Sequence, residues 1–369
     1  MRRFLRAVLA STALFPLACR TRATAPATTA PAPVRAQRHT CADSTLPAAA
    51  HQGRAFRFDL VQDGIYQAVS TGAMIPVNSP VVIVNDSDVV VVDPTATAAA
   101  ACALLEEIKT ITPKPVRVVV NTHFHFDHSN GNEVFGPDVE IVAHEFARDM
   151  IASGSSVSGR GVEFWLGATR APMEALARRI DTTSNAARRD TLQRRLTTYR
   201  RTLLAFAAVV PTPPARTVSR ELTLVRGTRE IRLLHLGRGH TAGDLVVLLP
   251  RERVLITGDL LQAMVPYMGD AYFPEWIETL EALKELPFDV VIPGHGSPFR
   301  ERARIDYLQS YLRDLWAQAG VLHAAQVSAE DAARRVDLRS HATRLSGTAS
   351  VGVDRTAMIR AWELLEGKP

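Results

Sequence analysis

The stretch "NTHFHFDHSNGN", residues 121–132, sets His123, His125, Asp127 and His128 within six positions. Such crowding disfavours an ordinary packed core, because buried imidazoles lose hydration and repel one another once protonated. The stretch follows "PVRVVV", a β-branched run that reads as a buried strand, so the cluster starts just past a strand end. Side chains alternate along extended backbone, which turns His123 and His125 the same way and lets them share a metal ion. Asp127 and His128 then face a second position close by.

A metal needs more ligands than one loop supplies, and three later strand ends offer them. "GRGHTAGD" carries His240 between glycines, "ITGDL" puts Asp259 directly after a strand, and "IPGHG" does the same for His295. Five histidines and two carboxylates suffice for a two-metal site, with three histidines on one ion and an aspartate plus histidine on the other. Asp259 would bridge them. Imidazole suits zinc, and carboxylates bridge hard or borderline ions. Two ions about 3.5–4 Å apart hold a hydroxide at neutral pH, so no serine or cysteine nucleophile is required.

In this order and context, His123-x-His125-x-Asp127-His128 followed by His240, Asp259 and His295 resembles the metallo-β-lactamase superfamily. The resemblance covers residues 56–300 and every metal position. It implies an α+β architecture, the four-layer αββα sandwich, with a dinuclear site at one edge between two sheets. It also implies that His123, His125 and His240 bind one zinc ion, that Asp127, His128 and His295 bind a second, and that Asp259 bridges; iron or manganese are the alternative ions. Asp127 would orient the attacking hydroxide and accept its proton. Asp93, ending "VVVVD", resembles the family's aspartate that holds a ligand in place, with Thr241 and Asp244 in similar supporting roles. The departure from the lactamases proper is Asp259, since those enzymes most often carry Cys or Ser there. Asp at this position is the pattern of thioesterases, lactonases and phosphodiesterases.

The rest of the chain frames this centre. "MRRFLRAVLASTALFPLAC" combines Arg2, Arg3 and Arg6 with an apolar run too short to span a bilayer, the layout of an export signal over 1–19. "PLAC" resembles the site at which bacterial lipoproteins are cut and lipidated, so Cys19 is either a membrane anchor or removed with the leader. Residues 20–50, rich in Ala, Pro and Thr, read as a disordered tether. Cys41 and Cys102 either bridge, pinning the tether to the domain, or remain two thiols. These features place the protein in the periplasm, free or lipid-anchored.

Within the expected domain, 51–300, the segment at about 145–215 is helical in propensity and carries arginine pairs at 178/179, 188/189, 194/195 and 200/201. It reads as a lid, a basic face for anionic lipid, or a solvated insertion. Residues 301–369 read as a helical extension. His39, His51, His144, His235, His323 and His341 read as structural or solvent-facing. The net charge of +5 and the scarcity of lysine (Lys109, Lys114, Lys284 and Lys368) give no basic channel for nucleic acid.

Substrate contacts are expected from "STGAMIPVNSP", 70–80, and from "QAMVPYMGDAYFPEW", 262–276, where Tyr267 and Tyr272 are candidate substrate-binding residues and Phe273 and Trp276 read as helix packing. The expected activity is hydrolysis of an ester, lactone or amide carbonyl of a small molecule. The alternatives are a β-lactamase proper, a mononuclear-iron oxidoreductase, or a phosphodiesterase or nuclease of the same fold. Nothing in the sequence specifies an oligomeric state.

Overall fold

The computed structural model describes residues 38–43 and 53–368. The expected leader lies outside these residues, as does the expected tether apart from 38–43. Runs of valine and isoleucine between turn signals form the first strands, β1 (Phe56–Gln62), β2 (Ile65–Ser70), β3 (Val81–Val84) and β4 (Val89–Val92). After α1 (Ala98–Ile108), capped by the Thr97 hydroxyl on the Ala100 N–H, come β5 (Val116–Val120), the short α2 (Phe126–Ser129) and β6 (Glu140–His144). Then α3 (Glu145–Ala152), α4 (Ser155–Ser158), α5 (Arg160–Thr182) and α6 (Ala186–Ala207) occupy the segment read as an insertion, before β7 (Arg216–Val218). These seven strands form one sheet in sequence order, antiparallel from β1 to β4 and parallel from β4 to β7.

A second sheet holds β8 (Glu221–Arg226), β9 (Arg229–Leu234), β10 (Val246–Leu249), β11 (Val254–Gly258) and β12 (Val290–Pro293), in the order β12-β11-β10-β9-β8. Only β11 and β12 in it run parallel, with α7 (Phe273–Lys284) as their crossover. Beyond them lie α8 (Ala303–Ala324), α9 (Ala329–Arg335) and α10 (Arg355–Leu365).

Strand alternation explains the layering. In β4 all four valines are buried, yet Val90 and Val92 join the core between the sheets while Val89 and Val91 join the core under α1. The second sheet repeats this: Val247 and Leu249 face the first sheet, while Val246 and Leu248 pack against α7 to α10. A helical layer, two sheets and a further helical layer result, the αββα sandwich. Trp276 and Phe273 are fully buried in the second helical core, as read from sequence.

Two longer-range ties matter below. Cys41 and Cys102 form a disulfide, fastening residues 38–43 to α1. Arg160, the first residue of α5, donates to the Gly269 carbonyl and to Glu363 Oε2 on α10, each at 3.1 Å. Arg360 of α10 donates to the same Glu363 oxygen at 3.1 Å and to the Ala271 carbonyl at 2.9 Å.

Candidate metal centre

The two parallel-strand regions bring their ligand-bearing ends to one edge of the sandwich. His123 and His125 follow β5, Asp259 follows β11, His295 follows β12, and His240 lies in the loop from β9 to β10. This closeness depends on glycine. A Cβ at Gly294 would lie 2.4 Å from Asp259 Oδ1 and 2.7 Å from His128 Cε1, and one at Gly258 would lie 2.2 Å from Thr122 Oγ1.

Three imidazoles converge on one point. His125 Nδ1 lies 3.1 Å from His123 Nε2 and 3.0 Å from His240 Nε2. The other nitrogen of His125 faces Asp270 Oδ2 at 3.0 Å and donates its proton there, which leaves Nδ1 a bare acceptor. Because the Thr122 hydroxyl donates to Asp93, His123 carries its proton on Nδ1 and turns a second lone pair toward His125, so the trio suits a cation better than itself. Beside it, Asp127 Oδ2 lies 3.2 Å from His128 Nε2 and 3.1 Å from His295 Nε2. Asp259 stands between the groups: Oδ1 is 3.4 Å from His128 Nε2, while Oδ2 is 3.4 Å from His295 Nε2 and 3.7 Å from His240 Nε2.

Two donor-set atoms, His128 Nε2 and Asp259 Oδ1, are buried without any hydrogen-bond partner. An orphaned buried polar atom costs about 1–3 kcal/mol, so orphans aimed at a common point indicate what they are built to hold. The nitrogen and oxygen donors of His123, His125 and His240, and of Asp127, His128 and His295, lie close enough together for each set to hold an ion, with His128 and Asp259 also grouped around His123. Such a set of imidazoles and carboxylates suits divalent zinc, iron or manganese.

Supporting residues fix these rings. Asp93, held at a left-handed φ of 60°, accepts the Thr122 N–H at 2.7 Å, the Thr122 hydroxyl at 2.8 Å and His128 Nδ1 at 2.9 Å. The same Thr122 hydroxyl sits 3.0 Å from His123 Nδ1, so one carboxylate orients two ligand candidates. Thr241 and Asp244 lend their support through the backbone of the His240 turn. Asp244 accepts the Thr241 N–H at 2.9 Å and its hydroxyl at 2.7 Å, which braces the turn bearing His240 without a hydrogen bond to its ring. Asp270 was not anticipated, although "MGDAYF" placed an aspartate in the loop just after Asp259. Asn121 and Asn132 were also missed. Their paired amides, with Asn121 donating to the His128 carbonyl at 2.8 Å, lock the end of α2.

The protein divides its protons unevenly over the cluster. Burial, with His128 and His125 nearby, holds His123 well below the ordinary imidazole range. Burial likewise draws His240 down to about 3, Asp259 opposing. Burial also disfavours charge on His128 and His295, but Asp127, Asp93 and Asp259 keep His128 well above its ordinary value, and Asp259 with Asp127 holds His295 up at about 10. Against burial, those two histidines keep Asp127 and Asp259 below the ordinary carboxylate range. His123 and His240 are therefore neutral and ready to ligate, while His128 and His295 must release protons to do so.

A cavity of about 200 Å³ opens over Asp127, Asp259 and His295, walled by Val77, Phe126, Phe164, Trp165, Val265 and Tyr267. Its roof is the start of α5, so the arginine-rich insertion covers the site with its non-arginine end, and Gly161 would place a Cβ 3.5 Å from His125 Cδ2. The arginine pairs themselves are exposed. Of the 70–80 loop, Val77 reaches the cavity; Asn78 and Ser79 are tied to the Asp93 and Gly294 carbonyls.

Tyr267 offers its ring, against Phe164 and His125 at centroid distances of 5.0 and 5.5 Å. Its hydroxyl is buried beside Gly269. Tyr272 does not line the cavity, contrary to expectation. It sits at the N-terminus of α7, buried between the Arg238 and Arg360 guanidinium groups at 4.3 and 4.5 Å from its ring, because the helix turns it into the outer layer. A larger cavity of about 640 Å³, lined by Arg54, Arg194 and Arg195 among others, shares no lining residue with the metal candidates. The remaining histidines have other partners: His39 pairs with Glu133, His341 with Asp314, and the His144 and His235 rings lie 4.2 Å apart. His51 lies outside the described residues.

Comparison with known proteins agrees with this geometry. The family model described as the metallo-beta-lactamase superfamily matches residues 75–295. A linear primary-alkylsulfatase of Pseudomonas sp. (strain ATCC 19151) is 25% identical over 225 residues, 57% of this chain and 40% of that protein. The acyl-coenzyme A thioesterase MBLAC2 of Gallus gallus is 22% identical over 259 residues, 68% of this chain and 79% of that one. The chain thus spans less than half the length of the sulfatase. A solved metallo-beta-lactamase from Pontibacter korlensis shares the fold, with TM-score 0.50, 18% identity, and coverage of 70% of this chain and 99% of that chain.

Proposed function

As the chain belongs to the metallo-β-lactamase superfamily, we propose that it is a dinuclear zinc hydrolase acting on an ester, lactone or amide carbonyl. The observation that carries this reading is the convergence of seven histidine and aspartate side chains beneath one cavity, with His128 Nε2 and Asp259 Oδ1 buried and unpartnered at its centre. The alkylsulfatase and the thioesterase among its relatives support ester-type cleavage.

His123, His125 and His240 would hold one ion, Asp127, His128 and His295 the other, and Asp259 would join them. Bound there, two divalent ions supply Lewis acidity and lower the pKa of water enough to yield a nucleophile at neutral pH. The chain supplies the rest. Asp127, which borders the cavity, receives the proton of the attacking water and passes it to the leaving group. Asp93 and Asp270 keep the His128 and His125 rings turned toward the centre. The α5 roof excludes bulk water above the reacting carbonyl.

Export is part of the same reading. The Cys41–Cys102 bridge supports an oxidising compartment, and with the leader it favours a periplasmic enzyme, either free or anchored through Cys19. The test is hydrolysis of p-nitrophenyl esters and a chromogenic cephalosporin, with and without a zinc chelator. Chelator-sensitive ester cleavage is the expected result; cephalosporin turnover would make the enzyme a β-lactamase despite Asp259. Ester cleavage that survives removal of all metal would overturn the reading.

A further inference from the structure

The wall of the metal cavity carries a donor that the centre does not use. Gln262 follows Asp259 by three positions, lines the cavity and is 1% exposed, yet its Nε2 has no hydrogen-bond partner. A buried amide N–H₂ left unpaired is costly unless something entering the cavity accepts from it. The remaining wall is apolar and aromatic, and no arginine or lysine among the described residues lines it. A substrate carboxylate inside would lie desolvated beside the Asp127 and Asp259 carboxylates, with no arginine or lysine among the described residues to meet it. At the mouth, Phe164 and Met264 are left 36% and 41% exposed, large apolar groups without cover.

Building on the hydrolase reading above, we propose that this cavity takes the uncharged apolar acyl chain of a carbonyl substrate, and that the Gln262 amide donates to the carbonyl oxygen. In the step it serves, the oxygen of water bonds to the acyl carbon, the acyl C–O bond breaks, and the proton taken by Asp127 leaves on the departing alcohol. Negative charge gathers on the carbonyl oxygen during the addition, and a donor already in place needs no reorganisation then. The space of about 200 Å³ equals that of about six or seven waters, which suits a chain of about six carbons.

The full chain loaded with zinc would be assayed on p-nitrophenyl hexanoate, on the acetate, and on the p-nitrophenyl monoester of adipic acid, whose six-carbon chain ends in a carboxylate. The hexanoate is expected to exceed the acetate in kcat/KM by up to about two-hundredfold, as burial of four further methylenes warrants, and to exceed the adipate monoester, whose chain brings a carboxylate into the cavity. Gln262→Leu should lower kcat on the hexanoate by about a hundredfold with KM and metal content little changed. Phe164→Ala should narrow the hexanoate-to-acetate ratio. A second readout needs no turnover: 2-octanone should quench the emission of Trp165 in metal-free protein saturably and octanoate should not, the Trp165→Phe variant identifying the signal. Equal rates on hexanoate and adipate monoester, or a Gln262→Leu variant with unchanged kcat, would overturn the proposal while leaving the hydrolase reading intact. If no ester is cleaved, the hydrolase reading fails, and the 2-octanone titration alone decides whether the cavity is built for an apolar chain.

Discussion

Asp270 stands 145 positions from His125 in the chain and 3.0 Å from its ring. A carboxylate on the far nitrogen of a ligand imidazole fixes its tautomer and raises its basicity. Replacing Asp270 with Asn should therefore weaken metal binding by about 10- to 100-fold without unfolding the protein, as read by competition with a chromophoric chelator. His240→Ala or Asp259→Ala should go further and abolish turnover while far-ultraviolet circular dichroism stays native; full activity in both would sink the ligand assignment. The seven ligand candidates were legible because their chemistry is local: histidine and aspartate at strand ends, in an order that few other purposes explain. Asp270 and Gln262 were not, since what makes each notable is a partner, or the lack of one, set by tertiary packing. Tyr272 shows the converse. An aromatic five residues from Tyr267 looked like a cavity residue, yet the start of α7 carries it to the opposite face.

The turn between β9 and β10 is held by a costly device. Burial pushes the Asp244 carboxyl up to about 7, although the N–H and hydroxyl of Thr241 favour its charged form. Between its ordinary value of 3.8 and about 7, the folded chain retains a proton that the unfolded chain has released. This group's contribution to stability is thus complete below about pH 4 and is lost as the pH rises to 7. Asp244→Asn should gain on the wild type across that window by a few kcal/mol, in order of magnitude. Denaturant midpoints of the metal-free proteins from pH 4 to 8 would show it, and parallel curves would contradict it. At this scale the strands were readable, because runs such as the four valines of β4 fit only a layer buried on both faces. The placement of α5 stayed open among a lid, a lipid-facing surface and a solvated insertion. Its periodicity marks a helix with one apolar side, but nothing local says that its first turns roof a metal site.

Across the molecule, the resemblance conveyed the layered sandwich, whereas whether the two cysteines paired depended on where the 38–43 segment lands against α1. The bridge spans a sequence separation of 61 residues. Closing a loop of that size removes unfolded-state entropy worth about 4 kcal/mol in the chain-entropy account. Reduction, or Cys102→Ser, should lower the unfolding free energy by up to about that amount while metal content is preserved, as urea titrations with and without reductant would measure. Loss of metal on reduction alone would mean that the bridge also shapes the centre.

Glu363 receives Arg160 from the roof of the cavity and Arg360 from its own helix, and those two arginines also hold the carbonyls of Gly269 and Ala271. For recombination among relatives, this clasp turns two distant stretches of gene into one heritable unit. A chimaera that exchanges the inserted helices but keeps the old tail loses the match between Arg160 and Glu363, and the reverse exchange loses it from the other side. Point changes in the cavity wall can reshape what enters it, but exchange of the whole insertion calls for a matching tail.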